Sequence, residues 1–210
     1  MNFKPYIISQ ALRDHSNLQW YLIPLFVIVI YIYIVEIERK NWSAVFLGIA
    51  FWAWAMTWEI ANSLIYKISG FAPLWTAEKG NGSYLIYIGM NLEVCFFVAI
   101  MGPMIIKILP DNPKLKIFKI PFRIIIPSVM GLTAVLVESF LHSGGLISWS
   151  WHFWGNPHIW PIWIGYSFTW FLLTAAHDYL TIKQKKVLMF FMLGAFIILH
   201  LIFAVWLKWV

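Results

Sequence analysis

Glu59 in TWEIAN, Glu93 in MNLEVC and Glu138 in LVESFL each lie within or beside a long apolar run, where a carboxyl group is out of place. An ionisable side chain at that depth in a bilayer costs roughly 2.5 kcal/mol or more, so each acid needs a reason to be there. The remaining acids, Asp14, Glu36, Glu38, Glu78, Asp111 and Asp178, fall in loops or at loop edges. Asn62 follows Glu59 by three positions and shares its helical face, while Asn91 precedes Glu93 by two. Trp52, Trp54 and Trp58 lie in the same run as Glu59. Brought together, these groups would form a dry aromatic pocket holding uncharged carboxyls, because desolvation disfavours the charged form. A protonated acid in such a pocket can donate to a weakly basic substrate, an alkene or an epoxide. The same acids could instead serve as neutral interhelical hydrogen-bonding groups. Three of them at similar depth, flanked by Asn and Trp, favour a site.

The elements that must position these residues follow from composition. The chain has 210 residues, 61% of them hydrophobic and 11% charged, with a mean hydropathy of +0.76. Soluble domains carry roughly 25% charged residues, so the expected solvent is a bilayer. Crossing roughly 30 Å of hydrocarbon takes about 20 apolar residues in a helix. Runs of that length recur over Leu18 to Val35, Trp42 to Tyr66, Tyr84 to Ile106, Ile124 to Leu141, Trp160 to His177 and Val187 to Leu207. The expected fold is therefore an all-α, polytopic transmembrane helical bundle of about six spans, one domain over residues 1–210. Met1 to Leu18 lacks a signal-peptide pattern.

Charge sets the expected orientation. Arg39, Lys40, Lys107, Lys114, Lys116, Lys119, Arg123, Lys183, Lys185 and Lys186 flank the first, third and fifth loops, and Lys4, Arg13, Lys67, Lys79 and Lys208 lie on the other side. The richer side is expected to be cytoplasmic, with both termini non-cytoplasmic. No basic cluster interleaves with exposed aromatics, so no nucleic-acid partner is expected. Alternating the spans puts all three acids in the non-cytoplasmic leaflet, with Glu59 and Glu93 roughly 10 to 14 Å below its boundary and Glu138 shallower.

Aromatics make up 19% of the chain. Trp42, Trp75, Trp206 and Trp209 suit interface anchors, whereas Trp54 and Trp58, near an acid, are candidate pocket walls. The fourth loop, His142 to Ile159, has no Lys or Arg but holds Trp149, Trp151, Trp154, His152 and His158, which suits an aromatic belt or a re-entrant lid. Its histidines lack the spacing of a helical metal pair, and the single Cys95 has no second thiol, so no metal site and no cofactor are expected. His200, isolated in the last run, reads as a core or helix-contact residue.

At TWEIANSLIY and GMNLEVCFFVAIMGP the sequence resembles the integral-membrane terpene cyclases of fungal indole-diterpene and meroterpenoid pathways. The correspondence runs through Trp58, Glu59 and Ile60, then Asn91, Gly102 and Pro103, with Glu138 similar to an acid late in their fourth helix. That resemblance implies a catalytic acid at Glu59 acting on an isoprenoid. Those cyclases have a seventh helix carrying an Asp, which has no counterpart in the last run here. A second resemblance is to sterol isomerases of the emopamil-binding-protein type, through Glu59, Leu74, Trp75, Lys79, Gly80, Glu93 and Trp170, with Ala55 and Ser167 where those enzymes have His and Asn. Both families protonate a double bond or epoxide inside a helical cavity.

The reading that unites these features is an intramembrane enzyme that cyclises or isomerises an isoprenoid or sterol-like lipid through a carbocation. Glu59 is its expected proton donor, Glu93 the partner or final base and Glu138 a secondary acid. Trp54, Trp58, Trp170, Asn62 and Asn91 are expected to line the substrate. The rivals are a proton-coupled transporter and a membrane protein that binds lipid without chemistry.

Overall fold

The computed structural model describes residues 12–77, 84–155 and 157–210. Lys4, Glu78, Lys79 and Gly80 lie outside the described residues, as does most of the segment in which a leader was sought. Six α-helices run along the described chain: α1 (Leu22–Glu38), α2 (Trp42–Ser69), α3 (Leu92–Ile108), α4 (Phe122–Ser143), α5 (Trp160–Tyr179) and α6 (Ile182–His200). The last continues as a π turn, Leu201–Trp206. Three of them, α2, α4 and α6 with its π turn, are long and apolar enough to cross a membrane. The expected all-α bundle is what forms.

Helix boundaries follow local chemistry. Asn41 caps α2 by accepting from the Ala44 amide, and Gly70, at φ 64°, ends it in the left-handed conformation that glycine adopts without strain. At α6, Thr181 and Gln184 form a reciprocal capping box, so the helix starts at Ile182, five residues before the expected Val187. The third run differs most from expectation. Residues 84–91 are rich in Tyr and Ile and carry Gly89 near their turn, and they form a hairpin of two strands, β2 (Leu85–Tyr87) and β3 (Met90–Asn91), following β1 (Thr76–Ala77). Helix α3 begins only at Leu92, where Asn91 accepts from the Val94 amide as N-cap. At 17 residues, α1 and α3 span about 25 Å.

Packing divides the helices into two bodies. Helix α2 is central and packs extensively along α3 and α6, with α1 laid against α3. Gly48 and Gly102 allow the α2–α3 approach: a Cβ on Gly102 would stand 2.7 Å from the Gly48 Cα. Helices α4 and α5 pack on each other as a hairpin, and Gly131 is needed there because a Cβ would overlap the Ser167 hydroxyl. Only thin contacts, made through α5, join this hairpin to α2 and α3. The junction is filled at one end by Leu47, Phe51, Ile105, Trp170 and Leu173.

At the other end the seam is covered by chain. Strand β6 (Ile147–Ser148), in the loop after α4, pairs antiparallel with β1, after α2. A further hairpin, β4 (Lys116–Ile117) with β5 (Ile120–Pro121), closes the α3–α4 connection, with Phe118 and Lys119 at positive φ. The outer faces are apolar: Phe26, Leu136, Phe140, Ile164, Phe190 and Phe191 are exposed. Lipid tails accept such faces at no cost, whereas water would not.

A candidate acid pair beneath a tryptophan lid

Glu59 sits nearly three turns before the end of α2 and is only 5% exposed. Its Oε1 accepts from the indole N–H of Trp75 at 3.0 Å, while Oε2 has no hydrogen-bond partner among the described residues. The turn of the β2–β3 hairpin presses against this pair. A Cβ on Gly89 would lie 2.7 Å from Glu59 Oε2 and would overlap the Trp75 indole, so the missing side chain is what lets the hairpin close on the acid.

Asn62, fully buried one turn on, explains why Trp75 stands where it does. Its Nδ2 donates to the Trp75 carbonyl at 2.8 Å, and its Oδ1 accepts from the Leu74 amide at 2.7 Å. Both ends of the amide go to backbone, so Asn62 holds the Trp75 segment in place. Trp75 also stacks on Trp154, with centroids 5.9 Å apart. The interface-anchor reading of Trp75 is therefore corrected, since its N–H is bound to the buried carboxyl. Trp42 and Trp206, 39% and 78% exposed, do sit as anchors would.

Glu138, on α4, reaches the site from the other body. The phenol of Tyr166, on α5, donates to its Oε1. The Trp149 indole N–H lies close enough to act on the same carboxyl electrostatically but outside hydrogen-bond geometry. Glu59 and Glu138 are near enough to feel each other's charge, and Tyr166 feels both. Glu138 and Tyr166 are hydrogen-bonded to each other, and Glu59 acts on both electrostatically from α2.

The fourth loop folds inward over this meeting point. Trp149 stacks on His142 at 4.5 Å, and Gly155, at φ 101°, gives it room. Trp151 donates to the Ala72 carbonyl at 2.9 Å, and Trp154 covers Trp75. Of the two structures expected for this loop, the lid is the one formed. Several buried donors around the seam have no partner among the described residues: the indole N–H groups of Trp54, Trp149, Trp154 and Trp170, and the Ser167 hydroxyl. Trp170 is buried and stacked on Phe51 at 4.5 Å, and Trp54 meets Trp58 edge to face at 5.8 Å. Trp58 is 46% exposed, at the mouth of the seam.

Glu93 is not brought into this group. Because α3 starts at Leu92, Glu93 occupies its first turn, where Tyr21 donates to it at 2.5 Å from the approach to α1. Cys95, about 200° further round α3, is the residue that faces α2, accepting from Trp52 at 3.3 Å. Asn91, as the α3 cap, likewise has its side-chain oxygen engaged by backbone. Tyr166 was missed in the sequence, although it lies four residues before Trp170 and so on the same face of α5. His200 meets the hairpin and not another helix in this bond, its Nδ1 2.6 Å from the hydroxyl of Tyr87 on β2. No three His, Cys, Asp or Glu side chains gather in ligating geometry among the described residues.

A family model described as an uncharacterized membrane protein family matches residues 7–205. A protein of Archaeoglobus fulgidus, itself described as uncharacterized, is 37% identical over 202 residues, covering 95% of this chain and 94% of its own length. No solved structure matches. Neither description names a terpene cyclase or a sterol isomerase, so those likenesses rest on the short motifs alone.

Proposed function

The chain belongs to that membrane protein family, and from this premise we propose that it is an intramembrane acid catalyst that cyclises an isoprenoid or sterol-like lipid, or shifts its double bond, through a carbocation. The observation that carries the reading is the Glu59 carboxyl: buried, with one oxygen held by Trp75 and the other unpartnered, facing Glu138 and Tyr166 across a seam of aromatic walls. Burying a charge without a cation is costly, which favours an uncharged Glu59 at rest.

In the proposed step the Glu59 carboxyl gives its proton to an alkene carbon or an epoxide oxygen. The π pair or the C–O bond supplies the electrons for the new bond, and a cation is left on carbon. The Trp75 N–H then stabilises the Glu59 carboxylate, while the faces of Trp54, Trp58 and Trp170 stabilise the cation. Loss of a proton from the neighbouring carbon restores a double bond. Glu59, left as a carboxylate by the first step, takes that proton back directly, with Glu138 and Tyr166 beside it as neutral hydrogen-bonding neighbours. No electrons are gained or lost overall and no co-reactant is needed.

In this reading Glu138 takes the role of partner expected of Glu93. The six helices cross the bilayer in alternation, the end rich in Lys and Arg faces the cytoplasm, and the lipid enters sideways past Trp58. The two ends of the described chain support that arrangement by meeting at one end of the bundle, where Arg13 donates to the Val210 carbonyl at 3.0 Å.

The test is mass spectrometry of lipids extracted from cells grown in D2O and expressing either the wild type or Glu59→Gln. The expected result is an isoprenoid product, one deuterium heavier at carbon when an alkene is protonated, present only with the wild type. The same product from both strains would remove the assignment, and an isoprenoid co-purifying without any product would make the protein a lipid binder.

A further inference from the structure

A second site lies at the end of the bundle where α2 finishes, in a cavity of about 570 Å³. Arg13 from the N-terminal segment, Lys67 from the last turn of α2, and Lys208 from the tail after α6 all line it, with Tyr66, Trp209 and Ile88 among its walls. Arg13, half-buried, and Lys67 and Lys208, both exposed, thus come from three separate parts of the chain to line one space. Like charges repel, so such a convergence is stable only with an anion among them or with water to screen them. Among the described residues the ion pairs are Lys107 with Glu36 and Arg123 with Asp178, both at the opposite end.

The site is built. Arg13 is fixed by its bond to the Val210 carbonyl and lies 5.9 Å from the centre of the Tyr87 ring. Its own amide donates to the Leu85 carbonyl at 2.9 Å, tying it to the β2–β3 hairpin. Lys208 has φ 52°, in the left-handed region that Lys40 and Lys119 also occupy. That turn follows directly from the π turn Leu201–Trp206, and the Trp209 amide donates back to the Phe203 carbonyl at 2.7 Å. Tyr and Trp beside cations at a helix end match the chemistry of the lipid head-group layer.

We infer that this cavity binds a phosphate group borne by a lipid, with Arg13, Lys67 and Lys208 as its ligands. Arg13 supplies paired N–H donors and the two lysines supply point charges, the combination that phosphate oxygens accept. The inference stands apart from the chemistry proposed at Glu59. The two sites nonetheless share a wall, since Ile88 lines the cavity and its neighbour Gly89 packs against Glu59.

The test uses the full chain in detergent and native mass spectrometry with matched probes: phosphatidic acid against diacylglycerol, farnesyl diphosphate against farnesol, and inorganic phosphate alone. At least one phosphorylated probe should bind more tightly than its uncharged counterpart or, for inorganic phosphate, bind at all. The variant Lys67→Gln/Lys208→Gln should weaken that binding by about tenfold or more. Lys67→Arg/Lys208→Arg should restore it, which separates loss of charge from loss of fold. Preference for phosphatidic acid identifies a membrane lipid, preference for farnesyl diphosphate a prenyl diphosphate, and equal affinity for phosphate alone a free anion. Equal binding of charged and uncharged partners, or binding unchanged in the Gln variant, would overturn the inference.

Discussion

The two ends of the bundle handle charge in opposite ways. At the end with the α1–α2, α3–α4 and α5–α6 connections, acids are paired with bases across helix ends, with Arg123 Nη1 left without a hydrogen-bond partner among the described residues. Glu36, 1% exposed, takes Lys107 at 2.9 Å and the Asn41 amide at 2.8 Å. Arg123 grips both oxygens of Asp178 and also donates to the Pro110 carbonyl. Lys185 donates to Ser43 Oγ and the His177 carbonyl, and Ser43 meets His177 Nδ1 at 2.9 Å. Each of these contacts ties one helix end to another. At the opposite end acids and cations are kept apart, with Glu59 and Glu138 in the aromatic seam and Arg13, Lys67 and Lys208 in the neighbouring cavity. Matched charges hold the bundle together. Segregated ones cost stability, and in proteins generally such groups concentrate at functional sites.

The sharpest break of this contrast is Glu59→Gln. It should lower turnover by about 10² to 10⁴, the range of general acid catalysis, while leaving thermal unfolding in detergent unchanged or raised. Product assay and a melting curve on one preparation check both halves. Arg123→Ala should do the reverse, destabilising by about 1 to 3 kcal/mol because the partly buried Asp178 loses its bidentate partner. Its signature is a lowered unfolding temperature, with turnover per folded molecule retained. Gly89→Ala tests the wall between the two sites. A Cβ there must displace Trp75 or the Glu59 carboxyl, so about 1 to 3 kcal/mol of stability and most of the turnover should be lost together. At the small end, Glu93→Gln should keep an acceptor for Tyr21 and leave turnover within about twofold of wild type, a change of under 0.5 kcal/mol.

Most of the helical architecture was legible in the sequence because the apolar runs are long and their caps are local. Glu59 and Glu138 were legible as misplaced acids for the same reason. Glu93 was grouped with them through one boundary. Reading residues 84–91 as helix put Glu93 two turns deep, whereas the hairpin puts it in the first turn of α3 and its bearing around the axis turns it to Tyr21. Tyr166 and Trp75 could not be placed from local pattern. The pairing of Tyr166 with Glu138 depends on α4 and α5 being neighbours, and Trp75 at the end of an apolar run looks like any interface tryptophan. What brings it inward is Asn62 holding its backbone, together with the β1–β6 pairing that pulls the lid across. Those are contacts between segments far apart in the chain, which period and propensity do not encode.

The central claim is that Glu59 and Glu138 form one buried, uncharged pair open to lipid and distinct from the matched acids at the other end. Dicyclohexylcarbodiimide, a lipid-soluble reagent that adds to protonated carboxyls, tests it without knowledge of the substrate. Peptide mass spectrometry of the treated full-length protein should find the adduct on Glu59 or Glu138, rarely on both in one molecule, with Glu36 and Asp178 unmodified. Equal modification at all four positions, or adducts on Glu36 and Asp178 alone, would contradict it.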